Sequence, residues 1–102
     1  MTITFSSQEN VHILLRHCGY FFIKEDKGEL AFIRPLSSSG YPRFHAYVNM
    51  EKFPHETVIN LHLDQKKPIY KGTVAHSGEY EGEIVANEAE RIKQILGPMV
   101  QR

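Results

Sequence analysis

Arg43-Phe44-His45-Ala46-Tyr47-Val48-Asn49-Met50 and, after a short turn, Val58-Ile59-Asn60-Leu61-His62-Leu63-Asp64 decide the fold. Both stretches alternate apolar and polar residues with a period of two, which is a strand with one buried and one open face. Phe44, Ala46, Val48 and Met50 share one face of the first strand, and Ile59, Leu61 and Leu63 share one face of the second. The turn over 52–57, with Pro54, is short, so the two strands form an antiparallel hairpin. Antiparallel partners have numbers with a constant sum, and a turn centred near Pro54 and His55 sets that sum at about 107, within one register step of two. His45 or Tyr47 therefore lies across from His62, with Cβ atoms ~5 Å apart. Asp64 lies on the same face, about 7 Å along the strand from His62. Arg43, His45, Tyr47, Asn60, His62 and Asp64 thus share one polar sheet face.

Outward from this hairpin, the chain reads as helix, hairpin, hairpin, helix. Val11, Leu14, Leu15 and Cys18 recur at helical spacing, and Gly19 is a left-handed stop. Ser6 and Glu9 fit a capping box ahead of that helix. His17, at its end, favours the helix dipole when charged. Tyr20-Phe21-Phe22-Ile23 and Leu30-Ala31-Phe32-Ile33-Arg34 are aromatic and β-branched, hence strands, joined by a polar turn at 25–29 that contains Gly28. Their residues are apolar on both faces, so part of this hairpin meets another segment of the chain or another subunit. Ser37-Ser38-Ser39-Gly40-Tyr41-Pro42 is an exposed loop. Residues 69–82, with Gly72, Gly78 and Gly82, read as a long loop. Val85, Ala89, Ile92 and Leu96 form a second helical stripe, stopped by Gly97-Pro98. Gly82 or Asn87 starts that helix. Both helices and the two alternating strands have a single apolar side, so the expected architecture is α+β. It is a two-layer sandwich in which an N-terminal and a C-terminal helix cover one face of a four-stranded antiparallel sheet.

Length and composition bound the rest. The 102 residues fit a single domain spanning 1–102, with 41% apolar and 24% charged side chains. Twelve basic and twelve acidic residues cancel, which disfavours nucleic acid and anionic membrane as partners. No apolar run approaches the ~20 residues of a membrane span, and the first residues lack the pattern of a secretory signal. A cytoplasmic location is the expectation. The single cysteine, Cys18, excludes an internal disulfide and reads as a small buried hydrophobe. No Walker loop, dinucleotide fingerprint or nucleophile elbow is present, and no cofactor is implied.

Three chemistries compete for the polar face. His62 and Asp64, with His45 or His76, are candidate metal ligands. The same His45, His62, Asp64 and His76 could divide general-acid and general-base roles in a small hydrolase acting on a phosphodiester or similar ester, with lysines such as Lys66 stabilising negative charge and Glu79 closing from the 69–82 loop. The third is recognition, with Arg43, Tyr47, Asn60, Lys66, Glu79 and Tyr80 as binding residues. Residues 43–72 carry five basic and three acidic side chains, and residues 73–102 carry three basic and five acidic. That uneven charge suits a protein partner or self-association. Binding is the expected function, with hydrolysis as the alternative.

The order of elements, with a first helix ending in Cys18-Gly19-Tyr20 and a last ending in Ile95-Leu96-Gly97, resembles the small HicA-like toxin domains and the double-stranded-RNA-binding fold. The resemblance implies helix, three strands, helix. HicA-like toxins carry a histidine early in the second strand, where this chain has Leu30-Ala31-Phe32-Ile33-Arg34, so no functional residue transfers.

Overall fold

The computed structural model describes residues 1–65 and 74–100, with only the backbone course given for 74–81. The strands are β1 (Thr2–Phe5), β2 (Phe21–Asp26), β3 (Glu29–Pro35), β4 (Arg43–Asn49) and β5 (Thr57–Asp64). The helices are α1 (Val11–His17) and α2 (Val74–Leu96), followed by a 3-10 turn over Gly97–Met99. All strands join one antiparallel sheet in the order β1-β5-β4-β3-β2.

The sheet has five strands, where the sequence pointed to four. The added strand is β1, whose Thr-Ile-Thr-Phe alternation is only four residues long. It pairs with β5, setting Ile3 opposite Ile59 and Phe5 opposite Thr57. A partner more than fifty residues away leaves no local trace, and that is why the strand escapes a window-by-window reading.

The inward residues of the strands meet both helical stripes in one core. Ile3, Leu30, Phe32, Phe44, Ala46, Val48, Ile59 and Leu61 pack with Val11, Leu14, Leu15 and Cys18 from the first helix and with Val85, Ala89, Ile92 and Leu96 from the second. Full burial of each large aliphatic or aromatic side chain stabilises by roughly 1.5–3 kcal/mol before entropy is counted. The opposite sheet face carries no helix among the described residues.

Helix α1 begins at Asn10, not Ser6. The Asn10 side chain accepts hydrogen bonds from the amides of His12 and Ile13 at 2.8 and 3.3 Å. Ser6 instead donates to the carbonyl of His55 at 2.6 Å, and Ser7 accepts from the Glu9 amide at 2.9 Å. The capping box is lost because β1 runs to Phe5 and the chain must turn before the helix can start. At the other end, Gly19 has φ +89°. The Gly19 and Tyr20 amides bond back to the carbonyls of Arg16 and Leu15, which closes the helix as a Schellman motif.

The turn between β2 and β3 is tighter than the sequence indicated. Lys27 and Gly28 both have positive φ, and Asp26 faces Glu29, so it is a two-residue hairpin turn. A β-bulge interrupts β2 between Phe22 and Lys24. Residues 74–82 are helical and do not form a loop; α2 runs through both Gly82 and Asn87, so neither caps it. Extending a formed helix adds one hydrogen bond per residue fixed, which outweighs the local glycine penalty. The remainder of the expected loop, 69–73, lies outside the described residues. No helix of the described residues is long and apolar enough to cross a membrane.

Candidate functional site

The β4–β5 register pairs His45 with His62, Tyr47 with Asn60 and Arg43 with Asp64. The sum is 107, the centre of the expected range. Continuing across β3 and β2, Phe21, Ile33, His45 and His62 form one row of the open face, and Ala31, Tyr47, Asn60 and Thr2 form the next.

Within these rows the rings are ordered by contact. Tyr47 stacks on His45 with centroids 4.2 Å apart and planes 21° from parallel, and its edge meets His62 at 5.7 Å. His45 Nδ1 lies 2.9 Å from Asp64 Oδ2, and the Tyr47 hydroxyl lies 3.4 Å from the same nitrogen. An ionised carboxylate only accepts, so Nδ1 carries the hydrogen when Asp64 is charged. Arg43 donates to Asp64 at 3.4 Å and covers the Tyr41 ring at 4.6 Å. Thr2 donates to Asn60 at 3.0 Å. The result is a preorganised patch in which each polar side chain is oriented by a neighbour on the same face.

Of the four candidate metal ligands, His45, His62 and Asp64 do not converge, and the side chain of His76 lies outside the described residues. His45 contacts Asp64, but among the described residues no three His, Cys, Asp or Glu side chains are close enough to hold an ion. The acid–base geometry is also partial. His45 Nε2 is buried with no hydrogen-bond partner among the described residues, whereas His62 is exposed. His76, Glu79 and Tyr80 fall on α2, not on a loop, and their side chains lie outside the described residues, as does all of Lys66.

The edge of the face is apolar. Phe21, Phe22 and Ile23 are 63, 46 and 42% exposed on β2, which has β3 on one side and no strand on the other among the described residues. Phe22 turns to the helical side, where its ring meets His12 at 4.8 Å and Phe32 at 5.5 Å. Phe21 lies in the His45 row of the open face.

A second polar cluster lies on the helical side, and the sequence did not single it out. Glu88 of α2 is 5% exposed. It accepts from the Tyr20 hydroxyl at 2.7 Å, from Arg91 Nε and Nη2 at 2.8 and 2.9 Å, and from Arg34 at 3.4 Å. Arg91 also donates to the Cys18 carbonyl at 2.5 Å. Burial, then the hydrogen bond to Glu88, pushes the Tyr20 phenol well above its ordinary range. Burial pushes the Cys18 thiol up to about 11. The hydrogen bond to Glu88 raises Arg91 further. These residues tie α2 to the end of α1 and to β3. A glutamate one turn from an arginine looks like an ordinary exposed pair, and only the arrival of Tyr20 and Arg34 from distant segments buries it.

Together these features define a small α+β domain: one five-stranded antiparallel sheet with two helices packed against it. Comparison with protein-family models, curated proteins and solved structures finds no match.

Proposed function

We propose that this domain is a protein-interaction module whose docking surface is the open sheet face. The observation that carries this reading is the ordered row of Phe21, Ile33, His45 and His62, with Tyr47 packed between the two imidazoles. Aromatic side chains held in place lose little entropy on binding and dominate interface energetics. Around them lie Arg43 and Asp64 at one end and Asn49 and Glu29 at the other, a polar rim about an aromatic centre. Of two clefts among the described residues, one lies between β1 and α2, away from this face, and a smaller one at the Gly28 and Met50 turns takes in Glu29 and Asn49 at its rim. The partner is another protein or a second copy of this chain.

A photoreactive benzoylphenylalanine at position 62 tests this. Irradiation in an extract of the source cells is expected to give a discrete adduct that Tyr47→Ala or Phe21→Ala removes. If it gives only the diffuse adducts obtained with the same group at the exposed Arg16, the face is not an interface. Sedimentation of the pure protein separates self-association from a foreign partner.

The hydrolase alternative is favoured by one feature, the 2.9 Å contact of His45 with Asp64, which orients an imidazole as acid–base sites require. It predicts turnover of a phosphodiester such as bis-(p-nitrophenyl) phosphate that is lost in His62→Ala and in Asp64→Asn.

A further inference from the structure

The cluster around Glu88 holds more donors and more positive charge than Glu88 takes up. Arg34 Nη1 and Arg91 Nε both reach one oxygen, Glu88 Oε1, at 3.4 and 2.8 Å, so the two guanidinium groups are neighbours. The other oxygen, Oε2, accepts from the Tyr20 hydroxyl at 2.7 Å and from Arg91 Nη2 at 2.9 Å. A carboxylate has about four acceptor sites, and these bonds fill them. The arginine forks carry more N–H donors than that. Among the described residues, Nε and Nη2 of Arg34 and Nη1 of Arg91 have no acceptor. Two cations also share one anion, because Glu88 is the only carboxylate among the described residues that pairs with either arginine. The lysine pairs of this surface are balanced one to one, Lys52 with Glu56 and Lys93 with Glu90. The surplus positive charge at Glu88 is partly withdrawn from water, with the arginine side chains 31 and 34% exposed.

We propose that Arg34 and Arg91 together bind an oxyanion, a phosphate or carboxylate group, where β3, α2 and the end of α1 meet. Guanidinium forks recognise such groups through paired N–H···O bonds. The forks are already held. Glu88 fixes both, the Tyr20 hydroxyl anchors Glu88, and Arg91 also donates to the Cys18 carbonyl. Side chains ordered before binding lose little entropy when the anion arrives. Partial burial lowers the screening of their charge, so the pair attracts an anion more strongly than two arginines free in water. The site lies on the helical side of the sheet, and it stands whether or not the open face is an interface.

The test is titration of the intact chain with sodium phosphate and, separately, with sodium acetate, sodium chloride holding the ionic strength constant. Proton–nitrogen spectra that include the arginine Nε–H groups follow it. Saturable shifts of the Arg34 and Arg91 Nε–H resonances are expected with at least one anion, and the one that saturates at lower concentration tells a phosphate ligand from a carboxylate. Arg34→Met keeps much of the aliphatic stem and removes the fork, and is expected to weaken binding roughly fivefold or more. Arg34→Lys keeps the charge without the fork, and is expected to weaken it roughly threefold. Glu88→Gln removes the competing negative charge, so it is expected to tighten binding roughly threefold even as it lowers Tm. A purely structural network would move stability alone. The proposal is overturned if the shifts do not saturate or are matched by chloride, which marks an adventitious ion only. It is also overturned if the folded Arg34 variants bind as the unaltered chain does, or if folded Glu88→Gln binds more weakly.

Discussion

Glu88→Ala removes the carboxylate on which Tyr20, Arg34 and Arg91 converge. The Tyr20 residue is 2% exposed, so its hydroxyl would be left without a partner, at a cost of about 1–3 kcal/mol. The two arginines fare better. Their side chains are 31 and 34% exposed, and water can replace much of what they lose. Breaking a buried ion pair by deleting one partner costs about 3–5 kcal/mol, and the solvent access of both guanidinium groups places this case near the lower end, at about 3 kcal/mol. For a domain of this size that is a fall in Tm on the order of 15 °C. Urea unfolding followed by far-UV circular dichroism measures it as a lower midpoint at unchanged slope. The double mutant checks the cause. Tyr20→Phe alone is expected to cost about 1 kcal/mol, but to be neutral or stabilising beside Glu88→Ala, where it deletes the orphaned hydroxyl. A Glu88→Ala cost below 1 kcal/mol, or additive single mutants, would refute the view that this network holds α2 to the sheet.

Four further outcomes are expected of this molecule. Cys18 is fully buried and its thiol is pushed from 9.0 up to about 11, so the native state holds a proton that the unfolded chain gives up. Its contribution is therefore complete below pH 9 and is lost as pH rises towards 11, by roughly 2–3 kcal/mol. The raised Tyr20 phenol acts in the same direction, and urea midpoints at pH 8 and 10.5 should show the loss. Gly19→Ala forces a Cβ into φ +89° at 3.5 Å from Arg34 Nε and is expected to destabilise by about 1–2 kcal/mol in thermal melts. Asn10→Ala removes the cap of α1, at about 1 kcal/mol, and amide exchange in the first turn of that helix should quicken. Phe21→Ser, at an exposed edge position, should leave Tm nearly unchanged yet reduce binding of a dye that reports exposed apolar surface.

Much of this molecule was legible in short windows of the chain. A period of two over 43–50 and 58–64, a period near 3.6 over 11–18 and 85–96, and a glycine after each apolar stripe define elements through backbone geometry alone. The His45–His62 pairing was also within reach, because a short turn leaves an antiparallel register almost no freedom. The strand at Thr2–Phe5, the true start of α1 at Asn10 and the helical course of 74–82 were not, since each depends on segments remote in sequence or on a helix already nucleated.

By itself the sequence determined which residues turn inward, and hence that Arg43, His45, Tyr47, Asn60, His62 and Asp64 share a face. Periodicity is a property of neighbouring residues, and no folded context is needed to see it. The tertiary structure alone decided how those side chains are used: that His45 pairs with Asp64 while its Nε2 is shut away, that Phe21 is exposed at an edge, and that Glu88 is buried among two arginines and a tyrosine. Those are distances between groups far apart along the chain, and only closing the sheet and docking both helices brings them to a few ångströms.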